Sequence, residues 1–166
     1  CYKIYLSASV EGKRGRYKES NALFRNDIGE GLFMKTIYKP QTEWLPPESF
    51  PDLSKYDEIA IDLETRDPNL KTMGSGSVTG RGNIVGIAVA VHDWSGYYPI
   101  RHEGGGNMDH GKVTRWLQDV LKTPAIKIFH NAMYDVCFLR SERFEIQGRI
   151  VDTMIAGSLV DENRFR

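Results

Sequence analysis

Only two cysteines, Cys1 and Cys137, occur in the 166 residues, and they form neither a CxxC pair nor a disulfide framework. A disulfide-stapled fold and a cysteine zinc cluster are thereby excluded, and the pattern fits a reducing compartment. No apolar run approaches the roughly 20 residues needed to cross a bilayer, and no signal-peptide pattern opens the chain, so the expected location is the cytoplasm, with no membrane partner. Gly-x-Ser-x-Gly is missing, and His92, His102, His110 and His130 lack zinc spacing, which leaves nucleophilic and zinc hydrolysis without a candidate. Net charge is missing as well, 22 basic residues balancing 22 acidic ones. A neutral total neither announces nor excludes nucleic acid. It hides a gradient, because residues 1–40 hold eight basic and four acidic side chains, leaving fourteen and eighteen to the rest.

With 40% hydrophobic and 11% aromatic residues, the chain can bury one substantial core and carry an appendage. Tyr2, Ile4 and Leu6 alternate, and "GLFMKTIYKP" is a second strand-like run, so the start reads as a small β-rich appendage. "KPQTEWLPPESFPDLSKYD" holds four prolines, which places a linker at about Pro40 to Pro51. Residues 1–50 are therefore assigned to appendage and linker, and residues 51–166 to the main domain. A first residue other than methionine, and a helical pattern running to Arg166 without a stop signal, suggest a piece of a longer protein.

In the main domain "DEIAIDLE", "NIVGIAVAVH" and "GYYPI" read as three consecutive strands in an antiparallel meander. The glycine- and serine-rich stretch Lys71 to Asn83 precedes a strand rather than a helix, so it is expected to be a mobile connection, not a phosphate cradle. Val113, Trp116, Leu117, Val120 and Leu121 follow helical spacing up to Pro124 and predict an amphipathic helix with Trp116 in the core. "AIKIF" is then a strand reached by a helical crossover, which favours parallel pairing. "NAMYDVCFLRSE" continues as a helix with Cys137 as a small core residue, and "DTMIAGSLV" as another with Asp152 as N-cap. Strands first and crossover helices later predict an α/β layer sandwich on a mixed sheet.

Two stretches carry chemistry. Asp62 and Glu64 stand at i and i+2 near the end of a strand, so both point to one face. Two carboxylates that close repel, and one holds a proton unless a cation lies between them; a hard divalent ion suits all-oxygen ligands. In "FHNAMYDVCFL", Asn131 and Asp135 are spaced i and i+4, as on one helix face, with Tyr134 beside them near the positive end of the helix dipole. His130 is expected to border that site.

Together "IAIDLET", "IFHNAMYDVCFL" and "IVDTMIAGSLV" resemble the first two exonuclease motifs and the following helix of the 3′→5′ proofreading domain of family A DNA polymerases, in the DEDD exonuclease superfamily, most closely those of bacteriophages. The resemblance covers about Tyr56 to Arg166. It implies a ribonuclease H-like three-layer sandwich and hydrolysis of the terminal phosphodiester of single-stranded or frayed DNA, releasing nucleoside monophosphates. It implies two divalent ions, Mg2+ or Mn2+, with Asp62 bridging both, Glu64 holding the first and Asp135 acting on the second. Thr65, Asn131 and Tyr134 match positions that contact the 3′-terminal nucleotide or the scissile phosphate, and Asp152 matches a structural position. The third motif of the family, Tyr-x-x-x-Asp, would lie beyond Arg166, together with a polymerase domain. The fragment alone is accordingly expected to be weak or inactive. Two other readings compete: a ribonuclease D-like RNA-trimming enzyme, and a non-catalytic module that grips nucleic acid.

Overall fold

The computed structural model describes residues 45–161. The β-rich appendage expected before residue 40 lies outside the described residues. The elements are β1 (Glu58–Arg66), α1 (Leu70–Met73), α2 (Gly76–Thr79), β2 (Asn83–Val91), β3 (Trp94–Pro99), α3 (His110–Lys122), β4 (Ile126–Phe129), α4 (Ala132–Ser141), β5 (Ile150–Asp152) and α5 (Thr153–Val160). The strands form one mixed sheet in the order β3-β2-β1-β4-β5. As the meander requires, β2 is antiparallel to β1 and β3, while β4 pairs parallel with β1 and β5 parallel with β4.

Alternation explains how the central strand can be both apolar and acidic. Ile59, Ile61 and Leu63 are buried with Ile87 and Val89 of β2, whereas Ala60, Asp62 and Glu64 face the other way beside Ala90, Ala88 and Gly86. Fully burying each such branched side chain is worth about 1.5–3 kcal/mol. Right-handed crossovers that advance in one direction along a sheet put their helices on one face. Accordingly, Val113, Leu117, Val120 and Leu121 of α3 and Phe138 and Leu139 of α4 join the same apolar cluster.

Trp116 is in the core, as its spacing predicts. Its ring centroid lies 4.5 Å from Tyr98 and 5.9 Å from Phe50, and its indole N–H donates to the Pro51 carbonyl at 2.8 Å. The proline-rich residues that precede β1 thus pack on the domain without forming helix or strand.

Several expectations are corrected. The stretch Lys71 to Asn83, read as a mobile connection, contains most of α1 and all of α2. Ser75 caps α2 by accepting from the Ser77 N–H, and the Asp67 carboxylate accepts from the Gly76 N–H at 2.8 Å. Gly76 and Gly82 approach so closely that a Cβ on Gly76 would overlap the Gly82 backbone. Asn131 is not on the face of α4 with Asp135; it precedes the helix as N-cap in the left-handed conformation, φ 65°. Cys137 is half-buried rather than enclosed. The short strand β5 is not legible in the sequence, since three residues carry no period. Among the described residues no helix is long and apolar enough to cross a membrane.

Candidate functional site

Asp62 and Glu64 project from the open face of the sheet near the end of β1, both exposed. Between Glu64 and Thr65 the register slips, leaving Val85 as an extra residue in β2, so Thr65 pairs with Ile84. Such bulges bend a strand and re-aim the residues around them. On the buried side Asp135 enters from the first turn of α4, only 4% exposed, and its Oδ1 accepts the Leu63 N–H at 3.3 Å. Two carboxylates from β1 and one from α4 are therefore brought to one strand end, although Asp135 stands 71 positions after Glu64 in the chain.

Their titration records the proximity. Burial, reinforced by the Asp62 charge, pushes the Asp135 carboxyl up to about 7 against the pull of the Leu63 N–H. Desolvation at the strand end and the Glu64 charge raise Asp62, and His130 opposes them. Asp62 remains open to water, which screens its share of the repulsion. His130 borders the site as its position suggested, its Nδ1 lying 3.0 Å from the Thr153 hydroxyl.

Clustered carboxylates, with Asp62 and Asp135 both raised in proton affinity, are the chemistry a divalent cation satisfies. They are not drawn into a closed set: among the described residues no three His, Cys, Asp or Glu side chains converge on a common metal position. The donor types, carboxylate oxygens throughout, fit such an ion.

Thr65 and Tyr134 meet, their hydroxyl oxygens 2.9 Å apart. Tyr134 donates its only hydroxyl hydrogen to Asp67 Oδ2 at 3.4 Å, which makes Thr65 the donor to Tyr134. Burial raises the Tyr134 hydroxyl, keeping it protonated. Asn131 lies exposed at the helix entrance, its backbone N–H bound to Asp152 at 3.0 Å and its side chain making no capping bond. Asp152 also accepts from the N–H groups of Ala132 and Met154, at 2.8 and 2.9 Å, so one carboxylate caps both α4 and α5. Burial alone would raise Asp152, yet these N–H bonds outweigh it and hold the carboxyl below its usual range.

Two neighbours were not singled out from sequence. Tyr97 of β3 lies across Gly86, the residue paired with Glu64, where any Cβ would overlap the tyrosine hydroxyl. Burial and the charges of Glu64 and Asp62 push the Tyr97 hydroxyl up to about 12, and it lies 2.5 Å from His102 Nε2. Asp67 is the other, joining Tyr134 to the α2 turn. The two-residue period of β3 could have put Tyr97 on the acidic face, but only once the register with β2 was known.

No family model matches the chain. It is 36% identical over 130 residues to a protein named DNA-directed DNA polymerase from Pseudomonas phage M6, a match covering 73% of this chain and 19% of that protein. This chain is homologous to a segment of a phage DNA polymerase. It spans about a fifth of that relative's length. Among solved structures, NrnC of Brucella melitensis with bound Mg2+ superposes with a TM-score of 0.50 at 21% identity, covering 69% of this chain and 50% of the other. At that identity the likeness speaks for the fold, an α/β mixed sheet of the ribonuclease H-like kind, as the motifs implied.

Proposed function

We propose that the segment forms the 3′→5′ proofreading exonuclease domain of a DNA polymerase, acting on the 3′ end of single-stranded or frayed DNA. The observation that carries this reading is the arrival of Asp135 beneath the strand end that bears Asp62 and Glu64, in a relative of a phage polymerase.

Asp62, Glu64 and Asp135 are the residues that would hold divalent ions, two in number, Mg2+ or Mn2+. When bound, the metal supplies an activated water and neutralises charge on the leaving 3′-oxygen. The protein contributes position. Because the Thr65 hydroxyl hydrogen is committed to Tyr134 and that of Tyr134 to Asp67, the Thr65 oxygen keeps a lone pair for the terminal 3′-hydroxyl of a substrate strand. The exposed Asn131 side chain, at the positive end of α4, suits a phosphate oxygen. His130 beside Asp62 offers a proton donor or acceptor at the edge of the same site. Bases would be held by stacking and apolar contact rather than read, as a proofreader must accept all four.

The test is digestion of a 5′-labelled single strand, with Mg2+ or Mn2+, by a chain extended through the residues that follow Arg166. The expected product is a ladder of shortened labelled strands that disappears with Asp62→Asn. The 166 residues alone should be much slower, since their sequence holds no Tyr-x-x-x-Asp of the kind the resemblance implies. Faster trimming of a matched RNA would replace this reading by the ribonuclease D-like one, and tight binding with no cleavage by the extended chain would favour a non-catalytic module.

A further inference from the structure

A second feature lies on the same edge of the sheet, at the other end of α4. There a groove of about 480 Å³ opens between α3 and the end of α4, lined by Arg101, His110, Thr114, Arg115, Ser141 and Arg143 among others. It starts at the β2 bulge: the Arg101 guanidinium donates to the carbonyl of Ile84, the residue paired with Thr65, at 2.7 Å. From Asp135 to Glu142 the helix advances seven residues, about 10 Å at 1.5 Å per residue.

The charges in the groove are unequally used. Arg101 is spent on Glu142, with contacts of 2.9 to 3.1 Å, and on His110 Nε2 at 2.7 Å, where the imidazole accepts and so carries its proton on Nδ1. Glu142 is further engaged by the Ile84 N–H at 2.8 Å. Glu142, the acid that lines the groove, is thus paired with Arg101, which forms a fixed wall. Arg115 and Arg143 have exposed side chains with no hydrogen-bond or ion-pair partner among the described residues.

Arg143 is also held where arginine is disfavoured. The Phe144 N–H bonds to the Leu139 carbonyl and the Arg143 N–H to the Arg140 carbonyl, the pattern of a Schellman helix end. Arg143 occupies its left-handed position at φ 68°, where glycine is the usual choice. The carbonyls of Phe138, Leu139 and Arg140 are already taken by N–H groups, so capping of these does not explain the arginine.

We infer that this groove binds the phosphodiester backbone of a nucleic-acid strand through Arg115 and Arg143, as a contact separate from the carboxylate site. Thr114 and Ser141 supply no sequence reading, since their hydroxyls bond to the backbone carbonyls of His110 and Phe138 at 2.8 Å. The contact is therefore electrostatic and indifferent to base. It rests on the proposed action on DNA but does not follow from it, because the carboxylate site alone could hold a strand end.

The experiment measures anisotropy of a labelled single-stranded oligonucleotide with the full 166-residue chain, in EDTA, over a series of salt concentrations. Arg115→Gln with Arg143→Gly should weaken binding several-fold and reduce the slope of log K against log salt by about 1.4, at roughly 0.7 per phosphate contact on a single strand. Arg143→Gly should at the same time raise the urea midpoint, because glycine relieves the left-handed residue, so weaker binding cannot be blamed on unfolding. If the parent binds with an unchanged salt slope in the double variant, the groove is not a phosphate contact and the exonuclease reading stands. If the parent does not bind single strands at all, the groove proposal fails, and digestion by the extended chain decides the exonuclease reading separately.

Discussion

Asp135→Asn removes a titrating group from the buried side of the site while keeping an oxygen for the Leu63 N–H. The parent carboxyl rises from 3.8 to about 7 in the fold. A gap of about 3 pH units at about 1.4 kcal/mol each sets a ceiling of about 4 kcal/mol. Coupling to the solvent-open Asp62 and relaxation of the apo site reduce this to about 1–2 kcal/mol. The folded pKa is raised, so this stability is fully present below pH 3.8 and is lost as pH rises through about 7. In urea unfolding with EDTA, followed by tryptophan fluorescence, the parent midpoint should therefore fall between about pH 4 and about pH 8. The Asp135→Asn variant should show a flatter profile and exceed the parent at the alkaline end. A parent midpoint that rises over this range, or a variant that tracks it at every pH, would refute the assignment of Asp135 as a buried carboxyl held by like charge.

Other perturbations test the surrounding structure. Gly86→Ala puts a methyl group where the Tyr97 hydroxyl lies, and should cost about 1–3 kcal/mol in urea unfolding while displacing that ring from Glu64; no change in stability would mean that the tyrosine moves aside freely. Lys127 is fully buried and donates to the carbonyls of Thr123, Ala125 and Gln147. Lys127→Met should cost about 2–4 kcal/mol by leaving those carbonyls short of a donor. Because burial lowers the Lys127 pKa, the unfolded chain holds more protons just below pH 10.5, so parent stability from this group rises with pH there, and the Lys127→Met variant should lose the rise. Tyr134→Phe breaks the link from Thr65 to Asp67 and should cost about 1 kcal/mol, with a higher KM for DNA in the extended chain; an unchanged KM would remove Thr65 and Tyr134 from substrate binding.

Much of the fold could be read from local periods. Ile59, Ile61 and Leu63 alternate with Asp62 and Glu64, and the α3 spacing brings Trp116 and Leu117 inward, so these elements declared themselves before any contact was known. Asp152 did the same, since an acid before a helical run is capping chemistry. What stayed hidden depends on pairing across the chain. Tyr97 reaches the acids only because Gly86 stands opposite Glu64 and leaves room for the ring. Asn131 had helical spacing but takes a left-handed turn, with Asp152, 21 residues away, holding its N–H. The α2 turn depends on an aspartate nine residues before it, at a distance where no helix or strand period applies.

The central claim is that Asp62, Glu64 and Asp135 together form a divalent-cation site. Titration of Mn2+ into the 166-residue chain, with free Mn2+ followed by its paramagnetic resonance signal near neutral pH, tests it most directly. The parent should bind the ion, while Asp62→Asn and Asp135→Asn should each weaken binding at least tenfold with the fold intact by circular dichroism. Binding of equal strength in the parent and both variants would contradict the claim.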